Sequence, residues 1–226
     1  MWAELGVGKG LGIVPSVHNF GTAGGLGDPA SLNASGEVCR VCHVPHDHAR
    51  ASRRYLNGLL WNHQVSSASY TMYSNAWSKT LTGSQDAQPD GTAKLCLGCH
   101  DGTVTLDAFD KYVADPDLTM ANTEAHAVVG KFYDGANIDL RGVHPISVAF
   151  PVGEAGDGKN FTNPATATWT KGQTVAATLD NGKVQCSTCH DVHDQESVAN
   201  THLLRTAQSP DEGGVPSGLC LTCHIK

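Results

Sequence analysis

Four short segments of this 226-residue chain share one spacing: Cys39-Arg-Val-Cys42-His43, Cys96-Leu-Gly-Cys99-His100, Cys186-Ser-Thr-Cys189-His190 and Cys220-Leu-Thr-Cys223-His224. Together they use all eight cysteines. Two thiols two residues apart, followed at once by histidine, fit covalent attachment of haem: the thiols form thioethers to the porphyrin and the imidazole binds iron from one face. A lone CxxC also suits zinc or a redox dithiol, but neither use asks for histidine after every second cysteine. The expectation is four covalently bound haem c groups, with His43, His100, His190 and His224 as proximal ligands.

Of the twelve histidines, eight remain for the far faces: His18, His46, His48, His63, His126, His144, His193 and His202. Among the methionines, Met1 is terminal and Met72 stands between Tyr70 and Tyr73 in a stretch that reads as packing, which leaves Met120. Bis-histidine ligation at all four irons is expected, with low potentials relative to His/Met cytochromes. His46 and His193 each follow a motif histidine by three residues, on the same short element, so neither reaches the far face of its own haem.

An internal repeat assigns the ligands. Cys39–Asp47 and Cys186–Asp194 both read CxxCHxxHD, while Leu95–His100 is LCLGCH and Leu219–His224 is LCLTCH. With a histidine upstream of each first-type site, the pattern H…CxxCHxxHD…LCLxCH occurs twice. It gives His18 to haem 1, His46 to haem 2, His144 to haem 3 and His193 to haem 4, with His63 the substitute for His18. His48 is expected to be solvated or to bond a propionate, and His126 and His202 to lie on the surface.

The elements that must position these residues are short. Five Phe, four Trp and five Tyr against 25 Gly and 10 Pro leave modest material for a protein-only core. The expected fold is mostly irregular coil organised by its cofactors, with short helices at the haem sites and a small β-hairpin. A Gly-rich arm is expected over 1–37, a first haem-pair unit over 38–125 and a second over 126–226, packed as one domain. The repeat is loose, since 57 residues separate Cys39 from Cys96 but 34 separate Cys186 from Cys220. Leu106, Phe109 and Val113 stand at i, i+3 and i+7, which predicts a short helix. Thr174 to Cys186 predicts the hairpin, with its turn on Asp180-Asn181-Gly182. Residues 114–168 read mostly as coil.

A net charge of −7 argues against nucleic acid or an anionic membrane as partner, and no run of 18 apolar residues offers a membrane span. The N-terminus lacks the pattern of an intact secretory signal; because such haems are attached outside the cytoplasm, a leader is expected to have preceded it. Asn33-Ala-Ser35 and Asn160-Phe-Thr162 match the glycosylation sequon, a pattern short enough to arise by accident.

As a set, CxxCHxPH, Leu60-Trp-Asn-His63, Tyr70-Thr-Met-Tyr73, Leu95-Cys-Leu-Gly-Cys-His-Asp-Gly-Thr103 and Asp139-Leu-Arg-Gly-Val-His-Pro-Ile146 resemble the doubled-CxxCH multihaem cytochromes of metal-reducing bacteria. In size and haem number the chain is similar to the tetrahaem outer-surface cytochromes of the E type, over about residues 18–226. The resemblance implies closely stacked haems, little regular secondary structure, and subunits that polymerise into conductive extracellular filaments. It further implies one axial histidine donated by the neighbouring subunit, for which His18 is the candidate. Met1–Pro15 matches no pattern of that family. The expected function is electron conduction, with identical subunits, other redox proteins or extracellular acceptors as partners. A soluble periplasmic shuttle using the same ligands is the alternative. A nitrite- or hydroxylamine-type reductase would need an open iron site, and eight spare histidines argue against one. Two zinc ribbons leave the four motif histidines without a task. No catalytic residues are expected.

Overall fold

Short apolar runs broken by Gly, Pro and Asn fold into short elements, seen in a computed structural model that describes residues 10–21, 37–44, 59–104, 106, 108–109, 133–134, 137–156 and 158–225. The chain divides into two compact units. One comprises Phe20–Leu81 and Gln85–Ser147; the other comprises Met1–Asn19, Thr82–Ser84 and Val148–Lys226. This division differs from the expected spans 1–37, 38–125 and 126–226 of one packed domain. The physical reason is strand pairing that reaches past residue 125 and ties the chain up to Ser147 into the first unit.

In the first unit, strands β1 (Ser69–Thr71), β2 (Tyr133–Asp134) and β3 (Asn137–Asp139) form a sheet in the order β1-β3-β2. β1 runs parallel to β3 with Tyr70 opposite Ile138, and β2 pairs antiparallel to β3. Tyr70 and Ile138 bury together with Leu97 and Leu140, and Met72 packs against that cluster as expected. Leu97 belongs to helix α1 (Gly91–His100), the longest element among the described residues. Strands of two or three residues show no readable alternation, so this sheet falls where coil was expected.

The helix expected from Leu106 is not formed at the positions described: Leu106 lies in a turn and Phe109 in irregular backbone, although both are buried. Val113 lies outside the described residues. The Asp101 carboxylate accepts hydrogen bonds from the backbone N–H and the hydroxyl of Thr103, both at 2.8 Å, which closes a turn straight after α1. Phe109 packs instead with Phe20 and Val41, against Cys42.

In the second unit, β4 (Val148–Ala149) pairs antiparallel with β5 (Lys183–Val184). The expected turn at 180–182 is present, with Asn181 at φ 52° and Gly182 at φ 75°, the two left-handed positions of a tight hairpin turn. The expected first strand, Thr174–Leu179, is a helix instead, α2 (Val175–Thr178). Thr174 caps it by accepting from the Ala177 N–H at 3.2 Å, and the two alanines inside it favour helix. Val175 is buried with Trp169 and Phe150, and the Trp169 indole N–H donates to the Thr178 hydroxyl at 2.9 Å. Helices α3 (Cys186–Cys189) and α4 (Gly218–Cys223) complete the unit.

Candidate functional site

Three of the four cysteine motifs are built on one helical turn. The N–H of the motif histidine returns to the carbonyl of the first cysteine, at 2.7 Å for His43, 3.0 Å for His190 and 2.9 Å for His224. At these three motifs the chain then leaves the turn and pairs, antiparallel, with a short extended segment: His43 with Trp61, His190 with Leu204 and His224 with Phe161. The flanking hydrogen bonds repeat too. The residue after each pairing partner donates its N–H to the second cysteine's carbonyl: Asn62 to Cys42 at 2.8 Å, Arg205 to Cys189 at 2.9 Å, Thr162 to Cys223 at 2.9 Å. The residue before each partner accepts from the residue after the histidine: Leu60 from Val44, Leu203 from Asp191, Asn160 from Ile225.

The side chain after each partner closes the turn as well. Asn62 Nδ2 donates to the Arg40 carbonyl at 2.5 Å, Arg205 Nε to Ser187 at 3.2 Å and Thr162 Oγ1 to Thr222 at 2.7 Å. All three acceptors lie between the paired cysteines, where a helix end leaves carbonyls unsatisfied. Asn160-Phe-Thr162, noted above as a sequon, therefore has a structural task.

The hooks orient the imidazoles. His43 Nδ1 lies 2.6 Å from the Leu59 carbonyl and His190 Nδ1 lies 2.8 Å from the His202 carbonyl, in each case the residue two before the pairing partner. A carbonyl only accepts, so the proton sits on Nδ1 and Nε2 is left as the base, the tautomer that binds a metal. Leu60 and Leu203, at φ 50° and 58°, take the left-handed conformation that turns these carbonyls inward.

The second motif is built differently. Here α1 runs through Cys96, Cys99 and His100 and is followed by Asp101, which is fully buried and accepts from the Tyr70 hydroxyl. His63 is 1 % exposed; its Nδ1 donates to the Gln64 carbonyl at 2.8 Å, and both ring nitrogens lie 3.6 Å from Cys99 Sγ. The residue expected as a substitute at haem 1 thus touches the second motif. Gly98 makes the approach possible, since a Cβ there would stand 2.7 Å from the Gln64 carbonyl oxygen.

The thiols report how the motifs meet. Burial pushes the Cys42 thiol up to about 12, with Cys96 and Cys39 adding to the effect. Burial raises Cys99 as well, followed by Cys42, Cys96 and Asp101. In the other unit burial raises Cys223 to about 12, with Cys189 and Cys220 adding to it. Cys189 goes up to about 11 by burial, Arg205 opposing and Cys220 assisting. Motifs one and two therefore converge in the first unit, and motifs three and four in the second. No disulfide joins any of the eight cysteines. Among the described residues no three His, Cys, Asp or Glu side chains group as a site for a bare metal ion.

The donor set fits haem c: two cysteine thiols and a histidine in each motif, with the imidazole held on a carbonyl at His43 and His190. Apolar side chains left in water flank the same turns, namely Leu59 and Leu60, Val192, Leu221 and Ile225, the kind of surface a macrocycle would cover. Phe161 packs on the His224 ring at 4.9 Å and Trp61 meets the His43 ring edge-on at 5.7 Å.

The candidate distal ligands are less gathered. His193 is exposed and shares the second unit with motif four. His144 is exposed and belongs to the first unit, whereas His190, its expected partner, belongs to the second. His18 belongs to the second unit and His43 to the first. His46, His48, His126 and Met120 lie outside the described residues. His202 is exposed, as expected. Sequence reasoning missed the three hook segments; the faint signal was an apolar residue followed by a side-chain donor, in Trp61-Asn62, Phe161-Thr162 and Leu204-Arg205.

No protein-family model matches the sequence, and no curated protein matches it. Among the described residues no helix is long and apolar enough to cross a membrane.

Proposed function

We propose that this chain is a tetrahaem c-type cytochrome that conducts electrons along bis-histidine haems, as the subunit of an extracellular polymeric filament. The observation that carries the reading is the hook at the first and third motifs, which holds the imidazole Nδ1 on a carbonyl and leaves Nε2 as the base beside two thiols in one turn. A zinc ribbon gives those oriented histidines no task. When bound, haem supplies a one-electron iron couple. The chain holds Cys39, Cys42, Cys96, Cys99, Cys186, Cys189, Cys220 and Cys223 for attachment and His43, His100, His190 and His224 as proximal ligands. His18, His46, His144 and His193 are the distal ligands, with His63 the substitute. With a histidine to hold each face, such a group would have little to rearrange when an electron arrives. The filament, the cell-surface location and the donation of His18 to a neighbouring subunit rest on the resemblance of the motif set.

The test is expression of the chain in a host that matures c-type cytochromes. Four haems per chain are expected by haemochrome assay, with a low-spin spectrum unmoved by nitrite or carbon monoxide. Fewer haems, or a high-spin component that binds these ligands, overturns the reading. Negative-stain microscopy separates filament from monomeric shuttle. His18→Ala should disperse the fibres; unchanged fibres and spectrum would move the ligand to His63.

A further inference from the structure

The three hooks share their backbone hydrogen bonds and differ in the charge of one side chain. The side chain that closes the turn is neutral at the first and fourth motifs, Asn62 and Thr162, and is a guanidinium at the third, Arg205. That group is 8 % exposed and lies in the CSTC turn, its backbone N–H on the Cys189 carbonyl and its Nε on the Ser187 carbonyl. The clamp itself needs no charge, as Asn62 demonstrates. The charge has a second contact, an ion pair between Arg205 and Glu196, whose side chain is 40 % exposed. A further carboxylate, Asp191, follows His190 directly, but it is spent on the backbone N–H groups of His193, Gln195 and Glu196 at 3.1, 2.7 and 2.6 Å.

From this arrangement we infer that Arg205 sets the reduction potential of the haem at the third motif, holding it up against the carboxylates of Glu196 and Asp191. The inference rests on the haem reading above. Reduction adds one negative charge at the iron. A buried cation beside the attachment turn stabilises that state, in surroundings where a charge is felt more strongly than in water. Arg205 is a positioning residue for the turn and, through its charge, a tuning residue for the group the turn carries.

The experiment is a spectroelectrochemical titration of the holoprotein, resolved into four one-electron components. Arg205→Asn installs the side chain type that already closes the first turn. It should lower one component and leave three in place, the oxidised-to-reduced ratio at fixed potential rising on the order of tenfold, which is 59 mV for one electron. Glu196→Gln removes the counter-charge and should raise the same component, and Arg205→Lys should keep it near wild type. Loss of packing cannot move one component in opposite directions through the two partners of one ion pair. If Arg205→Asn does not mature, Glu196→Gln carries the test alone. Four unmoved components, or shifts of one sign from both variants, overturn the inference. A wild-type chain lacking four haems overturns the functional reading first, and the haem count detects that before any titration.

Discussion

At the scale of single residues, chemistry with fixed spacing was readable and geometry carried by backbone was not. The motif cysteines and histidines stand out because their spacing repeats four times, and the haem attachment proposed above needs those atoms in that order. Leu60 and Leu203 carry no such mark, yet their left-handed φ turns the carbonyls of Leu59 and His202 onto the motif imidazoles. A β-branched side chain is poorly tolerated in that region, so Leu60→Val should destabilise the chain by about 1–2 kcal/mol. Leu60→Gly should be neutral or mildly stabilising. Denaturant titration of both variants checks the pair, and equal losses would remove strain as the cause. Asp101 makes the complementary case. Buried, and accepting from Tyr70 and twice from Thr103, it should cost about 2–4 kcal/mol as Asp101→Ala, because its donors are left unpaired. The same titration reads that loss.

At the scale of elements, local signals survived where turn chemistry set them and failed where packing did. Asn181-Gly182 turns as the hairpin rule requires, but Val175–Thr178 coils into a helix because a threonine cap and the burial of Val175 outweigh a β-like reading of the six residues Thr174–Leu179. The matched LCLxCH letters also part company in three dimensions: α1 continues through His100, whereas α4 ends at Cys223 and His224 is extended. Helix α1 approaches the segment after His63 only through Gly98. Gly98→Ala should therefore push on the Gln64 carbonyl that holds the His63 ring, with an overpacking cost of about 1–3 kcal/mol. His63 imidazole resonances should shift in the same variant, while Gly153→Ala, where a Cβ meets open space, should leave them in place.

At the scale of the whole molecule, the unit boundary at Ser147 was not legible in the sequence, since β3 is too short to announce its partner. The converging thiols give each unit an alkaline weakness before attachment. With Cys42 and Cys223 pushed up to about 12 and Cys189 to about 11, the folded haem-free chain keeps protons that the unfolded chain releases above about pH 8.5. Its stability is thus full below that pH and falls as pH rises towards 11–12. Denaturation midpoints at pH 7, 9 and 10 should decline in that order for the haem-free chain and, under the haem reading proposed above, stay level once thioethers, which carry no proton, replace the thiols. A level series in the haem-free chain would show that the thiols are not held protonated.

The N–H of Gly10 donates to the Asp194 carboxylate at 2.9 Å and that of Gly12 to the Asp194 carbonyl at 2.7 Å, across 184 residues of sequence in the first case. A chain made from its N-terminus offers these glycines long before Asp194 exists. These two bonds must wait until the third motif has been synthesised. The earliest-made segment of the described structure is among the last to be fastened, and its fastening records that the C-terminal half has arrived.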